Sequence, residues 1–151
     1  MSRRGVAVIG AGMTRFGDRF DMGDYDLIGE AFARAKNHVD NGINNRDIEA
    51  GWLGTGYGTL SIDDEIVSGG KLSHATGLQG IPMSRVENAC GTGADAVRNA
   101  ILGIESGRFD IVAVIGAEKM RDKPTEKFLR IAAEDNPQTL GMTAPAFFGM
   151  Y

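Results

Sequence analysis

The feature that most restricts the fold of this chain is a short apolar run that ends at glycine and recurs along the sequence. Residues 6–10, Ala50–Gly54 and residues 110–116 all have this form. Such runs are typical of strands that are buried on both faces of a parallel sheet. Residues 83–87 are predicted to form a further strand between the second and the last of these runs.

Segments with helical periodicity lie between these strands. From residue 25 to residue 39, apolar side chains recur at spacings of three and four, and Asp24 or Asp26 could cap the start of the helix. Asn41 and Gly42 follow and break the pattern. A second helix is predicted at about residues 64–72.

A third helix is predicted at residues 91–106, with Gly107 as its C-terminal cap. One stripe of this helix carries apolar side chains and is expected to be buried, namely Ala94, Val97, Ile101 and Ile104. Strands that alternate with helices in this order predict an α/β fold, with a mainly parallel sheet covered by helices. Residues 1–120 are expected to form the α/β core, and residues 121–151 the start of a loop region that is truncated at its C-terminus.

Composition and charge exclude several classes of function. The 151 residues are 42% hydrophobic and 24% charged, which is typical of one globular domain or part of one. A net charge of -4 with scattered basic residues gives no binding surface for nucleic acid. No apolar run approaches the roughly 20 residues of a membrane span, and the run at residues 6–9 is too short to be expected as the apolar core of a signal peptide. A cytoplasmic location is therefore expected.

The chain has one cysteine, Cys90, and two histidines, His38 and His74. One cysteine cannot form an internal disulfide, and these three residues fall short of a structural zinc site, so no metal is expected. Both histidines are expected to be solvated or structural.

Gly10-Ala11-Gly12 follows the first predicted strand, as the glycines of a dinucleotide-binding loop would. The third glycine of that pattern would fall at Arg15, and no acidic residue stands where the ribose contact belongs. The pattern therefore disfavours a dinucleotide site.

Cys90 lies where a predicted strand passes into a predicted helix, and Gly91 and Gly93 follow it. The amides and the macrodipole at a helix N-terminus favour an anion, which raises the thiolate fraction of a cysteine there. The small neighbours leave room for an acyl donor, and the Cys90 N–H could donate to an acyl oxyanion. Most lone cysteines are small buried hydrophobic residues, so spacing alone leaves the catalytic and the structural interpretation open.

Residues 86–93, Val-Glu-Asn-Ala-Cys-Gly-Thr-Gly, resemble the nucleophile segment of thiolases, particularly of the sterol-carrier-type and archaeal branch. Residues 6–17 are similar to the opening strand of that family. Residues 111–120 are similar to its Val-Gly-Gly-Glu-x-Met strand, and residues 141–144 to its Met-Gly-x-Thr-Ala turn. The resemblance covers nearly the whole chain and implies that Cys90 is the acyl-accepting nucleophile.

The resemblance implies the N-terminal half of a thiolase, which transfers an acyl group between a 3-oxoacyl-CoA and CoA through a Cys90 thioester. CoA and acyl-CoA would be substrates, and no cofactor would be bound permanently. The loop region would lie on the CoA side, with Leu140 and Met142 as substrate-binding candidates. The family also forms homodimers or tetramers, and some members associate with a small OB-fold, zinc-ribbon protein that helps to bind CoA.

The chain departs from the family pattern in two positions and in length. Leu140 stands where a methionine usually lines the acyl pocket, and Ala117 replaces the second glycine of Val-Gly-Gly-Glu. Family members are much longer, and their C-terminal half supplies an activating His, a second Cys as acid and base, and an Asn or His motif that holds a catalytic water. This chain alone is therefore expected to be incomplete for turnover, with a second chain or a longer polypeptide supplying the rest.

Other interpretations stay open from the sequence. Ketoacyl synthases and hydroxymethylglutaryl-CoA synthase belong to the same superfamily and also place a Cys at a helix start. The chain could instead be a non-catalytic scaffold or assembly subunit, or a fragment of an enzyme of normal length.

Overall fold

A computed structural model describes residues 4–56, 68–122, 124–126, 142–143, 145–146 and 149. Its helices are α1 (Asp24–Asn37), α2 (Ser68–Thr76) and α3 (Thr92–Glu105), and its strands are β1 (Ala50–Gly54), β2 (Met83–Val86) and β3 (Val112–Gly116). Short 3-10 turns lie at Asn45–Asp47, Ala89–Gly91 and Met120–Asp122. Helix alternates with strand along the chain, as the sequence predicts.

The three described strands form one parallel sheet in the order β2-β1-β3. The central strand pairs with both neighbours, so that Trp52 lies beside Ser84 on one side and Val114 on the other. β1 is buried along nearly its whole length, which is the environment that its uninterrupted apolar run predicts. The predicted α/β fold with a parallel sheet and covering helices is confirmed.

One face of the sheet packs against α1 and α2. Leu53 of β1 is fully buried and belongs to the same apolar cluster as Ile28 and Phe32 of α1 and Leu72 of α2. Ile28 and Leu72 are also fully buried. This cluster is the core of the described fold, and burial of each such side chain contributes about 1.5–3 kcal/mol.

The other face of the sheet packs against α3. Trp52 precedes Leu53 in β1 and therefore points to this opposite face. A Cβ on Gly103 of α3 would lie 3.2 Å from Cη2 of Trp52. At the other end of the strand, a Cβ on Gly54 would lie 3.2 Å from Cγ2 of Thr92. Glycines on the strand and on the helix therefore allow α3 to approach β1 closely, with its first turn at the carboxyl end of that strand.

The chain divides into two compact units, Met1–Glu118 and Lys119–Tyr151. All of the helices and strands named above lie in the first unit. The division into a core of residues 1–120 and a loop region of residues 121–151 stays a prediction. None of the described helices is long and apolar enough to cross a membrane.

The structure contradicts the strand that the sequence predicts at residues 6–10. These residues have no regular secondary structure, belong to no described sheet, and leave the side chain of Val8 85% exposed. The adjoining glycines pack on α1 instead: a Cβ on Gly12 would lie 2.5 Å from the Ala31 oxygen, and one on Gly10 would lie 2.4 Å from the Ala35 oxygen. Close approach to a helix backbone, rather than a dinucleotide, explains this pair of glycines.

Replacement of Gly12 by alanine should lower the free energy of unfolding by about 1–3 kcal/mol, because the new methyl group would overlap the α1 backbone. Urea denaturation followed by the fluorescence of Trp52, the single tryptophan, measures this change. Gly5→Ala is the matched control, since a Cβ at Gly5 would meet no atom within 4 Å. Equal midpoints for the two variants would show that residues 10–12 do not pack on α1 in this way.

The buried face of α3 differs from the predicted stripe. Ala96 and Ala100 are buried, whereas Val97 and Ile101 are 45% and 36% exposed. Small side chains bring the helix close to the sheet, as the 3.6 Å separation between a Cβ on Gly54 and the Ala96 Cβ shows. The prediction from hydrophobicity alone therefore assigned the wrong face of this helix to the core.

Other helix boundaries agree with the prediction to within a few residues. Gly23 is the N-cap of α1, and its N–H donates to Oδ2 of Asp26 at 2.8 Å, so neither predicted aspartate is the cap itself. Gly107 follows α3 with a φ of +75° and donates its N–H to the Ile104 oxygen at 2.9 Å, as predicted for a cap. The helix predicted at about residues 64–72 lies at Ser68–Thr76, and residues 57–67 are outside the described residues.

Candidate active site around Cys90

Cys90 lies in the turn that connects β2 to α3. β2 ends at Val86, the 3-10 turn covers Ala89–Gly91, and α3 begins at Thr92. The thiol is free and exposed, at the edge of the sheet where the carboxyl ends of the parallel strands meet. Ligands of α/β proteins bind preferentially at this edge. The predicted position of Cys90 at a junction between a strand and a helix is confirmed.

The residue before the cysteine has a strained backbone. Ala89 has a φ of +43°, and it is the one non-glycine residue with positive φ in the part of the chain that the structure describes. The left-handed conformation costs a residue with a Cβ about 1–2 kcal/mol. Strain of this kind persists only where surrounding contacts hold it, and it is concentrated at functional sites.

Side chains within the turn satisfy its backbone groups. The Ala89 N–H donates to Oε1 of Glu87 at 2.7 Å, and the Gly91 N–H donates to the Asn88 oxygen at 2.8 Å. The hydroxyl of Thr92 accepts from the Asn88 N–H at 2.8 Å and donates to the Ala89 oxygen at 2.6 Å. Three residues of the motif other than the cysteine therefore hold the turn.

The end of β1 supports the same turn from the neighbouring position in the sheet. A Cβ on Gly56 would lie 3.2 Å from the Ala89 oxygen, so this loop packs directly on the strained residue. Thr55 is fully buried, and its hydroxyl accepts from Nε of Arg85 at 2.9 Å. The Thr55 N–H donates to the Val86 oxygen at 3.2 Å, which ties the ends of β1 and β2 together.

The sequence interpretation missed these supporting residues. The sequence carries no motif that assigns a supporting role to Thr55, Gly56 or the hydroxyl of Thr92. A signal was present at the end of β1, where the polar Thr55 directly follows the apolar run, since ligands of parallel sheets bind at the carboxyl ends of the strands.

Two features of Cys90 suit it to accept an acyl group. Its thiol is exposed at the start of a helix of 14 residues, where the macrodipole favours negative charge. Its backbone N–H donates to no acceptor within the described residues, so this group is available to a ligand. A nucleophile and a hydrogen-bond donor on one residue are what the tetrahedral step of acyl transfer requires.

The histidines have structural contacts, as expected. Nδ1 of His38 accepts a hydrogen bond from the Ala11 N–H at 3.2 Å, which fastens the N-terminal segment to the end of α1. The ring of His74 lies edge-on to Tyr25, with 5.1 Å between the ring centroids. Within the described residues, no group of three or more His, Cys, Asp or Glu side chains could hold a metal ion.

The substrate-binding candidates lie at the other end of the chain. Met142 is 38% exposed and belongs to the second compact unit. Leu140 is outside the described residues. The role predicted for both residues stays a prediction.

Comparison with known proteins places this site in a family. The family described as thiolase, N-terminal domain, matches residues 6–145. The acetyl-CoA acetyltransferases of Methanothermobacter thermautotrophicus and Methanocaldococcus jannaschii are 37% and 35% identical, each over 97% of this chain. Sterol carrier protein 2 of Gallus gallus is 33% identical over 87% of it.

The chain spans 38% and 37% of the lengths of the two archaeal relatives and 25% of the length of the avian one. The similarity to the archaeal and sterol-carrier branch therefore concerns one part of those proteins. That part contains the strand, turn and helix that present Cys90. Because the family match extends over nearly the whole sequence, the chain belongs to the thiolase family, as a thiolase N-terminal domain.

Proposed function

We propose that Cys90 accepts an acyl group from a 3-oxoacyl-CoA and passes it to CoA, as the nucleophile of a thiolase reaction. The observation that carries the proposal is the exposed thiol in the turn that leads into α3, in a chain that belongs to the thiolase family. The two archaeal relatives are acetyl-CoA acetyltransferases, which supports a transferase that acts on acyl-CoA. CoA and acyl-CoA are then substrates, and no resident cofactor is part of the proposal.

In the first step the Cys90 thiolate attacks the β-carbonyl carbon of the 3-oxoacyl-CoA. The carbonyl oxygen becomes an oxyanion, and the Cys90 N–H donates a hydrogen bond to it. The carbonyl then re-forms, the bond between the α- and β-carbons breaks, and its electron pair goes to the α-carbon. A proton added there gives acetyl-CoA, while the acyl chain, shortened by two carbons, stays on Cys90 as a thioester. In the second step the thiol of free CoA attacks the thioester, loses its proton, and releases the new acyl-CoA together with the Cys90 thiolate.

The proton for the α-carbon requires an acid positioned beside the substrate. We propose that residues outside this chain supply that acid and the base that ionises Cys90, either from a second chain or from a longer polypeptide. The archaeal relatives are more than twice as long as this chain, which supports this part of the proposal. Assembly as a homodimer or tetramer, association with a CoA-binding partner protein, and a cytoplasmic location complete the proposal.

The test is to trap the acyl group on the protein. We expect that incubation with acetyl-CoA at about pH 8.5, where an ordinary cysteine thiol is about half ionised, gives an acetyl group on the peptide that contains Cys90, identified by mass spectrometry, and that added CoA removes it. This transfer is the reverse of the second step, so it needs no acid at an α-carbon. The same chain unfolded in urea is the matched control, because the unfolded thiol lacks the helix start and the aligned N–H. No acetyl group on the folded chain, or equal acetylation of the folded and the unfolded chain, would contradict the proposal and favour a non-catalytic scaffold.

A further inference from the structure

The buried side chain of Thr92 contacts both the central strand of the sheet and the turn that contains Cys90. It is 6% exposed. Its methyl group packs on Gly54 at the end of β1, and its hydroxyl makes both hydrogen bonds to the turn that contains Ala89. One small side chain therefore connects the central strand, the strained residue and the first turn of α3.

The hydrogen bond from Thr92 to the Ala89 oxygen determines more than the position of Ala89. The Ala89 carbonyl and the Cys90 N–H belong to one peptide unit, which is planar and trans. In such a unit the C=O and the N–H point in opposite directions. Because the oxygen is held toward Thr92 inside the turn, the Cys90 N–H points away from it, and no described residue accepts its hydrogen bond.

We infer that Thr92 is a positioning residue that aims the backbone N–H of Cys90 at the oxyanion of the acyl group. The inference rests on the proposed function of Cys90 and adds a specific task for its neighbour. The hydroxyl accepts from the Asn88 N–H, in the peptide unit between Glu87 and Asn88, and donates to the Ala89 oxygen, in the unit between Ala89 and Cys90. It therefore links the peptide plane of Cys90 to the start of the turn. The Thr92 N–H also donates to the Ala89 oxygen, so loss of the hydroxyl removes one of two restraints on this carbonyl and the link to Asn88. We expect the strained Ala89 then to relax from its positive φ, and the Cys90 peptide plane to rotate with it.

Thr92→Val tests the inference because valine keeps the methyl contact with Gly54 and removes both hydrogen bonds. We expect acetyl transfer from acetyl-CoA to Cys90 to become slower by about tenfold or more, since loss of one oxyanion donor costs at least that much in other enzymes. Alkylation of Cys90 by iodoacetamide should change by less than about threefold, because displacement at a saturated carbon forms no oxyanion. Thr92→Ser should restore acetyl transfer, since serine keeps the hydroxyl and loses only the methyl group.

Thr76→Val is the matched control. Thr76 is also buried, and its hydroxyl makes the same kind of bridge, donating to the Leu72 oxygen at 2.6 Å and accepting from the Leu78 N–H at 3.3 Å. It lies at the end of α2, so its loss should lower stability without changing the ratio of acetyl transfer to alkylation. An unchanged ratio in Thr92→Val, or the same change in Thr76→Val, would overturn the inference.

A crystal structure of the Thr92→Val variant separates this inference from the proposed function. We expect Ala89 to leave the left-handed region and the Cys90 N–H to turn from its present direction. A retained Ala89 conformation and Cys90 peptide plane would overturn the positioning role, whatever the rate of acetyl transfer. If the unchanged chain takes up no acetyl group, the proposed function fails, and the orientation seen in the variant still decides whether Thr92 sets the direction of the N–H.

Discussion

The Cys90→Ala variant should take up no acetyl group from acetyl-CoA and should unfold at nearly the same urea concentration as the unchanged chain. Removal of the sulfur removes the atom that forms the thioester, so the expected effect on acyl uptake is complete loss. The side chain is exposed, so the free energy of unfolding should change by less than about 0.5 kcal/mol. Mass spectrometry of the intact protein measures the uptake, and Trp52 fluorescence measures the unfolding.

Cys90→Ser is the matched control for shape, because it keeps a polar atom of similar position in the turn. A serine hydroxyl is a weak nucleophile unless a general base activates it, so we expect less than about one hundredth of the acetyl uptake of the unchanged chain. Full uptake by either variant would place the acyl-accepting group at another residue. Uptake that disappears together with cooperative unfolding would show that Cys90 has a structural role instead.

The parts of the fold that the sequence predicts correctly are those with a strong local pattern. β1 has the predicted bounds because its apolar run is short and is flanked by polar residues on both sides. A strand that is buried on both faces begins and ends with such a run. α3 and its cap at Gly107 follow from helical periodicity and from the left-handed conformation that glycine adopts easily. The junction at Cys90 follows from these two boundaries, since a strand and a helix that follow closely leave the cysteine in the turn.

The errors have the opposite cause, because they concern choices that distant residues decide. Residues 6–10 carry the apolar pattern of a buried strand, but a pattern cannot show whether a neighbouring strand is available. The close packing of Gly10 and Gly12 on α1 depends on backbone atoms that have no sequence signature. The prediction of the buried face of α3 was wrong because close contact with β1 favours small alanines over larger apolar side chains.

The residues that support the turn of Cys90 could not be predicted from the sequence for the same reason. The positive φ of Ala89 has no signal in a sequence, since alanine is not a residue that favours the left-handed region. The contact of Gly56 with that residue joins two segments that are far apart along the chain. Only the packing of the ends of β1 and β2 side by side shows that these residues hold the turn that contains Cys90.

A buried ion pair far from the candidate site gives the largest expected effect on stability. Nζ of Lys71 on α2 lies 3.4 Å from Oδ2 of Asp24, and the two side chains are 4% and 9% exposed. The same ammonium group lies 4.9 Å from the ring centroid of Tyr25. Asp24 is the first residue of α1, where the macrodipole also favours a negative charge. The pair therefore fastens α2 to the start of α1 in a place with little water.

Lys71→Met should lower the free energy of unfolding by about 3–5 kcal/mol, because the Asp24 carboxylate stays buried without this cation. Arg98→Met is the matched control: it removes an exposed ion pair with Asp95 at 3.3 Å and should cost less than about 0.5 kcal/mol. The double variant Lys71→Met with Asp24→Leu should recover most of the loss, since apolar residues of similar volume often replace a buried pair without net cost. Urea denaturation of the three variants measures these values, and a loss in Lys71→Met no larger than in Arg98→Met would show that solvent reaches the pair.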